Sequence, residues 1–234
     1  MNDILSFRGL TKSYNHALPA IDNINLNLNA GRIIGLLDPN GSGKTTLIKM
    51  ICGLLTPTSG SIFVDGMPVG PATKAITSYL PDRTYLSDGM TVNEAVEYFA
   101  DFYTDFDKPK AYRLLTGLSI NPGCKMKTLS KGTKEKVQLI LVMSRHARLY
   151  LLDEPIAGVD PAARDFILHT ILTNCDPGAT VLISTHLIAD VQDILQEALF
   201  LQQGRVALYD STDNIRQREG KSVDELFREV YRCW

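Results

Sequence analysis

The residues with the clearest chemistry lie in one glycine-rich segment, residues 38–46. Its sequence is Asp38-Pro39-Asn40-Gly41-Ser42-Gly43-Lys44-Thr45-Thr46. Backbone N–H groups at the start of a helix bind anions, and glycines let the backbone approach a phosphate closely. In loops of this kind the lysine reaches the terminal phosphates and the hydroxyl that follows it ligates Mg²⁺. The segment therefore predicts phosphate binding by Lys44 and a metal ligand at Thr45, and the alternative is an ordinary glycine-rich turn.

The sequence on either side of this segment predicts a strand followed by a helix. Residues 33–37 form an apolar run typical of a buried strand. After the segment, Leu47, Ile48, Ile51 and Leu54 recur at the spacing of one helical face. A phosphate loop requires a strand-to-helix turn, so the flanking pattern supports the interpretation of the motif.

Asp38 stands where the pattern GxxxxGK[ST] has its first glycine. Because the proline that follows biases its predecessor toward extended conformations, position 38 need not adopt the positive φ that only glycine reaches cheaply. The carboxylate could then turn away from the phosphates, or face them and weaken binding through like-charge repulsion. We predict that the substitution is tolerated with a reduced nucleotide affinity, which Asp38→Gly would restore.

Three further predicted strands end in polar side chains. The strands cover residues 76–80, 149–152 and 180–183, and the side chains that follow them are Asp82, Asp153, Glu154 and His186. Ligands of α/β sheets bind beyond the carboxyl ends of the strands, so these groups are expected to converge on the phosphate loop. We predict that Asp153 holds Mg²⁺ through water, that Glu154 orients or deprotonates the attacking water, and that His186 hydrogen-bonds the γ-phosphate. Taken alone, the Asp-Glu pair could equally cap a helix.

Two other segments contain groups that could contact a nucleotide. Ser130 precedes a predicted helix, and Lys131 and Lys134 raise the positive potential at its N-terminus, which makes it a second candidate anion site. A simple capped helix would have the same sequence. Tyr14 lies in a polar turn, where its ring could stack on a base or pack locally, and from this stretch alone local packing is favoured.

The composition limits the possible functions. The 234 residues are 44% hydrophobic, which is enough for a full core. A net charge of −2 and a pI of about 6.1 indicate neither a nucleic-acid footprint nor a polybasic membrane patch. The four cysteines are far apart, which argues against a zinc site or a disulfide framework and fits a reducing cytosol. No apolar run approaches the roughly 20 residues that span a bilayer, so a role at a membrane would need another polypeptide.

The order of the patterns predicts an α/β fold with a helical insertion. Alternating strands open the chain and are expected to be antiparallel, whereas two continuous apolar strands separated by a helix at 161–174 indicate a parallel sheet. A helix at 187–196 and a terminal hairpin at 198–209 follow. We predict a single domain, 1–234, with a core formed by 1–85 and 146–212, a helical lobe at 86–145 whose aromatic residues form its core, and a helical tail at 213–234.

Five of these segments, in this order, resemble the motifs of the ATP-binding subunits of ABC transporters, and the match covers nearly all of the chain. Residues 39–46 resemble the Walker A loop, 129–133 the LSGGQ signature, 149–154 the Walker B strand and 157–160 the D-loop, and His186 resembles the switch histidine. The resemblance implies a P-loop (RecA-like) core with a parallel sheet, an N-terminal antiparallel β subdomain and a helical lobe.

The resemblance also implies roles for individual residues, with ATP and Mg²⁺ as cofactors. Tyr14 would stack on adenine, and Ser130 and Gly132 would meet the γ-phosphate. Asp82 occupies the position of the family's Q-loop glutamine, where it could still accept a water of the metal but could not donate a hydrogen bond. Lys131 and Thr133 replace Gly and Gln of the signature. The loop residues implied to contact ATP are Asn40, Gly41, Ser42, Gly43, Lys44, Thr45 and Thr46.

The partners follow from the same resemblance. Two copies, or one copy and a homologous subunit, would pair head to tail with each ATP between them, and a separate transmembrane permease would dock near residues 82–90. The LSKG form of the signature resembles bacterial exporters of peptides, lipids or drugs, which implies an ATPase at the cytoplasmic face of the membrane. The alternatives are a soluble ABC protein unrelated to transport and a regulatory ATP-binding module with little turnover.

Overall fold

The computed structural model describes residues 3–14, 18–39 and 41–231. Within these ranges the strands are β1 (Asp3–Lys12), β2 (Ile21–Asn29), β3 (Ile33–Leu37), β4 (Ser59–Val64), β5 (Met67–Pro68), β6 (Thr77–Leu80), β7 (Leu149–Asp153), β8 (Thr180–Thr185), β9 (Glu197–Gln202) and β10 (Arg205–Ser211). The helices are α1 (Lys44–Ile51), α2 (Pro71–Ala75), α3 (Val92–Phe102), α4 (Lys108–Gly117), α5 (Lys131–Met143), α6 (Pro161–Asn174), α7 (Ile188–Val191), α8 (Thr212–Glu219) and α9 (Val223–Tyr231), with a 3₁₀ turn at Met126–Thr128.

A six-stranded sheet in the order β10-β9-β3-β8-β7-β6 forms the centre of the described chain. The pairs β9/β3, β3/β8, β8/β7 and β7/β6 are parallel, and β10 adds antiparallel to β9. Strands β7 and β8 are buried on both faces because their runs are continuously apolar. Helices α5, α6, α8 and α9 contribute to the core on one face of this sheet, and α1 to the core on the other.

A second, antiparallel sheet in the order β2-β1-β4-β5 shares a core with α1 and the central sheet. The period-two alternation of its strands buries one face, which includes Phe7, Ile24 and Leu28. The predicted α/β class, with a parallel core sheet, an N-terminal antiparallel sheet and helices, is confirmed. This layering fixes the turn between β3 and α1, which carries the phosphate loop.

Helices α3, α4 and α5 have a core of their own, which includes Val96, Leu115 and Ile140. Thr91 caps α3 as the sequence predicts, since its hydroxyl accepts from the Glu94 backbone N–H at 3.1 Å while the Glu94 carboxylate accepts from the Thr91 backbone N–H at 2.7 Å. The position of α5 matters for the site because Ser130, which precedes it, is one of the candidate anion contacts.

Two predictions from periodicity are wrong, and a third holds only in part. The helix predicted at 187–196 covers only Ile188–Val191, because the Gln196 backbone N–H donates to the Ile33 carbonyl at 2.9 Å and the chain must turn to enter β9. Leu54 lies beyond the end of α1 and is 58% exposed. Among the aromatic residues of the helical lobe, Phe99 is buried, but Tyr98 and Phe102 are exposed and pack against each other at 5.2 Å between centroids.

Gly60 lies near the start of β4, at a point where no side chain fits. Its φ is +79°, and a Cβ there would overlap the carbonyl oxygens of Arg8 and Gly9. We expect Gly60→Ala to lower the free energy of unfolding by about 2 kcal/mol or more, from the cost of the left-handed conformation and the overlap together.

Gly66 provides the control for this prediction. Its φ is +74° and a Cβ would meet no atom within 4 Å, so Gly66→Ala isolates the conformational cost, about 1 kcal/mol. Urea unfolding of both variants measures the difference. Equal destabilisation of the two would show that the overlap at position 60 is relieved at no cost.

In the described part of the chain, none of the helices combines the length and the apolar character needed to cross a bilayer.

Candidate functional site

The predicted phosphate loop is a tight turn between β3 and α1. Gly41 and Gly43 have φ values of +98° and +111°, and a Cβ on Gly43 would overlap the Ala20 carbonyl oxygen. Gly43 is also the residue that precedes α1, so Lys44 and Thr45 lie in the first turn of the helix, where backbone N–H groups are free to bind an anion. The Ser42 hydroxyl donates to the Pro39 carbonyl at 3.2 Å, and Asn40 lies outside the described residues.

The Lys44 ammonium is buried among oxygen atoms. It forms a short ion pair with Asp38 Oδ1 and donates to the Asp38 carbonyl oxygen at 3.2 Å. Glu154 Oε1 lies 3.5 Å from the same Nζ atom. Asp38 is not among the residues with positive φ, so an aspartate fits the position without strain. Of the two arrangements that the sequence leaves open, the structure has the carboxylate directed to Lys44, the predicted phosphate contact.

Asp38 is an unusual carboxylate because it is fully buried, with 0% of its surface exposed. Burial raises its pKa to about 6, against the opposing effect of the Lys44 charge, and the charges of Glu154 and Asp153 raise it further. Its second oxygen, Oδ2, accepts no hydrogen bond from any group that the structure describes. Asp38 is therefore a buried carboxyl group with a raised pKa, in direct contact with Lys44.

Asp153, at the end of β7, lies next to the first turn of α1. Its Oδ1 atom accepts from the Thr45 hydroxyl at 3.3 Å and from the Ser184 hydroxyl at 2.6 Å. Its Oδ2 atom is buried and has no partner among the described groups. Burial raises the pKa of this carboxyl, and the two hydroxyl donors lower it.

The groups around Asp153 fit a bound Mg²⁺. Within the described ranges no three His, Cys, Asp or Glu side chains are grouped closely enough to hold a metal by themselves. Mg²⁺ commonly takes one or two carboxylates, several waters and the phosphates of its nucleotide, so such a group is not required. The Thr45 hydroxyl and the unpartnered oxygen of Asp153 are ligands of the right chemistry beside the phosphate loop.

Glu154 and His186 contact each other at the ends of β7 and β8. His186 Nδ1 lies 3.0 Å from Glu154 Oε2. Glu154 has a φ of +51°, and its backbone N–H donates to the carbonyl and hydroxyl oxygens of Ser184 at 3.0 and 3.1 Å. Strained backbone of this kind is typical of functional positions. Ser184 is not among the site residues predicted from the sequence. Its position at the end of an apolar, buried strand is the feature that could have indicated it.

Asp82, Ser130 and Gly132 form no hydrogen bond or ion pair with Lys44 in the part of the chain that the structure describes. Asp82 is partly exposed, pairs weakly with Arg83 at 3.9 Å, and lines a cavity of about 290 Å³ together with Glu154 and Lys131. Ser130 caps α5 by accepting from the Thr133 backbone N–H at 3.2 Å. A Cβ on Gly132 would meet no atom within 4 Å. In the ranges that the structure describes, no hydrogen bond or ion pair joins Ser130 or Gly132 to the phosphate loop.

Tyr14 lies at the edge of the site with its ring available. The side chain is 45% exposed, and its hydroxyl lies 3.4 Å from the hydroxyl of Thr46 in α1. The Lys12 ammonium approaches one face of the ring at 5.3 Å from the centroid. An exposed ring beside the helix of the phosphate loop could stack on a base, as the resemblance implies.

A second cavity, of about 570 Å³, opens between the end of α1 and the helical lobe. Residues that line it include Leu54, Asp82, Tyr85, Phe99 and Arg145. Gln138 of α5 holds one wall in place, since its Oε1 accepts from the Tyr85 backbone N–H at 3.3 Å and its Nε2 donates to the Thr84 hydroxyl at 3.4 Å. The cavity is a mostly apolar groove, and Asp82 lines both this groove and the cavity of about 290 Å³ that Glu154 lines.

Comparison with known proteins supports the interpretation of these motifs. The family described as "ABC transporter" matches residues 21–157. The SkfA peptide export ATP-binding protein SkfE of Bacillus subtilis (strain 168) is 28% identical over 211 residues, which cover 87% of this chain and 87% of that protein. The ABC-type transporter ATP-binding protein EcsA of the same strain is 29% identical over 242 residues, covering 97% of this chain and 96% of that protein.

A solved structure described as the ATP-binding subunit of an ABC transporter has the same fold. It superposes with a TM-score of 0.86 at 28% identity, covering 97% of this chain and 99% of that one. The family match extends from β2 through the phosphate loop to the end of the strand that carries Asp153 and Glu154. The chain therefore belongs to the ABC transporter family, as a member of its ATP-binding subunits.

Proposed function

We propose that this chain hydrolyses ATP and that the hydrolysis drives export of a substrate through separate membrane subunits. The observation that carries the proposal is the convergence of Lys44, Asp153, Glu154 and His186, which come from three neighbouring parallel strands, on the start of α1. Such a set supplies a cation for the phosphates, a ligand for a metal, a proton acceptor and a γ-phosphate contact in one place.

The roles of the individual side chains follow from their contacts. Glu154 is the group placed to orient and deprotonate the attacking water, since one of its oxygens contacts His186 at 3.0 Å and the other lies 3.5 Å from Lys44. His186 would donate to the γ-phosphate, and Lys44 would contact the terminal phosphates. Asp153 and Thr45 would hold Mg²⁺, which when bound neutralises charge on the phosphate oxygens. Asp82 is the remaining candidate for a water of the metal.

A head-to-tail pair of subunits completes the site. The N-terminus of α5 carries Ser130 and Gly132, which are accessible and do not bond to the phosphate loop of their own chain in the described ranges. A γ-phosphate held by one copy could therefore be met by the N–H groups and the Ser130 hydroxyl of the other. Two-fold symmetry makes this contact twice. ATP then provides the negative charge that bridges the copies, and hydrolysis removes it.

The groove of about 570 Å³ is the proposed docking site for the permease. It lies where segment 82–90 passes between the site and the helical lobe, and it presents the exposed side chains of Leu54 and Tyr85. Asp82 lines both cavities. A movement of Asp82 when the nucleotide is bound or cleaved would therefore also change the lining of the groove. Docking there would place the chain at the cytoplasmic face of the membrane without a span of its own. Export of a peptide is suggested by the printed name of SkfE.

Co-expression with the product of a neighbouring membrane-protein gene tests the docking. We expect the chain to sediment with membranes only when that partner is present, and Leu54→Asp to weaken its affinity for those membranes at least about tenfold, since a charge in an apolar docking groove costs more than about 1.4 kcal/mol.

Leu172→Asp is the matched control, because Leu172 of α6 is 48% exposed, compared with 58% for Leu54, but does not line the groove. Both variants should keep the wild-type melting temperature. Equal loss of membrane association in the two variants would contradict docking in the groove. A chain that never associates with membranes would favour a soluble ABC protein unrelated to transport.

A further inference from the structure

Asp38 and Lys44 form a pair that occupies the centre of the phosphate loop. Lys44 donates hydrogen bonds to Asp38 Oδ1 and, at 3.2 Å, to the Asp38 carbonyl oxygen, and Glu154 Oε1 forms an ion pair with the same ammonium at 3.5 Å. Only 6% of the Lys44 surface is exposed. Because the ammonium is buried among these oxygens, terminal phosphates can reach it only by replacing at least one of them.

The Asp38 side chain is the partner that the phosphates displace at the greatest electrostatic cost. Glu154 is partly exposed and keeps its contact with His186. Asp38 has no second cation, since the other titratable groups that face it in the described ranges are Asp153 and Glu154 from the end of β7 and Tyr231 from α9. Without Lys44, a charged Asp38 would be buried among carboxylates and phosphates, and a buried carboxylate without a partner is neutralised by protonation.

We propose that Asp38 is an internal competitor of the nucleotide for Lys44, and that its carboxylate takes up a proton from solvent when the phosphates replace it. The proposal rests on nucleotide binding by this loop and not on hydrolysis. It differs from simple like-charge repulsion between Asp38 and the phosphates because it predicts how many protons the protein takes up when the nucleotide binds. The carboxylate that holds the lysine in the free protein becomes a neutral acid beside the phosphates in the bound one.

The direction in which nucleotide affinity changes with pH follows from the pKa of Asp38 in the free protein. The pKa of Asp38 there is about 6, so below pH 6 the acid is already protonated and binding requires no uptake. Above pH 6 the free protein is ionised and the complex is protonated, so affinity falls as pH rises, by up to about tenfold per pH unit. Nucleotide affinity is thus highest when Asp38 is neutral.

Calorimetric titration of the full chain with ADP at pH 7.5 tests the proposal without any turnover. Two buffers with different ionisation enthalpies give the number of protons taken up. We expect the wild type to take up about one proton more than Asp38→Asn, because both proteins share every other titrating group. We also expect Asp38→Asn and Asp38→Gly to bind ADP at least about tenfold more tightly than the wild type, because only the wild type must protonate a carboxylate whose pKa in the free protein is about 6.

Asp22→Asn is the control for a general loss of charge. Asp22 lines a cavity with Gly41 and Ser42 but pairs with Arg205 rather than Lys44, so its removal should change affinity less than about twofold and leave the proton count as in the wild type. A similar gain in affinity in Asp22→Asn and Asp38→Asn would overturn the proposal in favour of bulk charge.

The other outcomes are equally decisive. Equal proton counts and affinities in wild type and Asp38→Asn overturn the competition while leaving nucleotide binding intact. Absence of ADP binding by every protein overturns both the competition and the proposed function. If Asp38→Asn does not fold, the wild type and Asp38→Gly provide the same comparison, and a wild-type affinity that does not fall between pH 6.5 and 8.5 relative to Asp38→Gly refutes the proposal.

Discussion

ATP turnover is expected to fall by about 100-fold or more in Glu154→Gln, with nucleotide binding retained. General-base catalysis typically contributes about 10²–10⁴-fold, and glutamine keeps the size and the hydrogen-bonding oxygen of the side chain but cannot take a proton. The contacts with His186 at 3.0 Å and Lys44 at 3.5 Å fix the carboxylate beside the phosphate loop. Phosphate release from purified protein and ADP titration measure the two properties separately.

The same variant should accumulate as a dimer when ATP is present. If ATP bridges two copies and hydrolysis separates them, a protein that binds ATP without cleaving it keeps the bridge, and size-exclusion chromatography with and without ATP detects the change. Glu135→Gln is the matched control, because Glu135 lines the same cavity of about 290 Å³ as Glu154 but contacts Lys131 instead of the lysine of the phosphate loop. This control should retain turnover within a factor of about three, a change of less than about 1 kcal/mol.

Phosphate release that is equal in wild type and Glu154→Gln would contradict hydrolysis at this site. It would favour the alternative of a regulatory ATP-binding module with little turnover. The buried pair of Asp38 and Lys44 is the feature of this chain that would then account for the weak activity. Because ADP binding is measured in the same proteins, loss of hydrolysis and loss of nucleotide binding are distinguished.

The sequence predicts those parts of the candidate site that depend on residues close together in the chain. Each apolar strand and the polar residues that follow it are adjacent in the sequence, so both can be recognised together. Parallel strands then bring their carboxyl ends to one edge of the sheet. This is why the neighbourhood of Asp153, Glu154 and His186 follows from the sequence. The strand-to-helix turn around Lys44 follows for the same reason, since an apolar run and a helical face flank the glycines.

The parts that could not be predicted depend on contacts between distant residues. Whether Asp38 turns toward Lys44 or away from it depends on how deeply both side chains are buried in the folded chain, which the sequence of the loop does not specify. Ser184 acquires its role only when β7 and β8 pair in register, which places it beside Asp153. The helix predicted from residue 187 ends early because the Gln196 backbone N–H donates to the carbonyl of Ile33, the first residue of β3. This tertiary contact overrides the local helical pattern.

Arg145 is a further residue whose importance lies in such distant contacts, and Arg145→Met is expected to lower the free energy of unfolding by about 3 kcal/mol or more. The side chain is buried, since only 2% of the residue's surface is exposed. It donates to the carbonyls of Thr77 and Ala75 at 2.6 and 2.7 Å, forms a double hydrogen bond with the Asp105 carboxylate at 3.0 Å, and stacks on the Tyr103 ring at 3.8 Å from the centroid. Methionine fills a similar volume but leaves these acceptors unpaired.

Arg148→Met isolates the effect of burial from that of losing an arginine. Arg148 pairs with Asp65, but 54% of its side chain is exposed, and exposed ion pairs contribute less than about 1 kcal/mol. Thermal unfolding should therefore lower the melting temperature by roughly 6–12 °C for Arg145→Met, at about 2–4 °C per kcal/mol in a chain of this size, and by less than about 4 °C for Arg148→Met. Arg145 joins β6 to the loop that leads into α4. Equal shifts in the two variants would show that these buried contacts stabilise the fold no more than an exposed ion pair does.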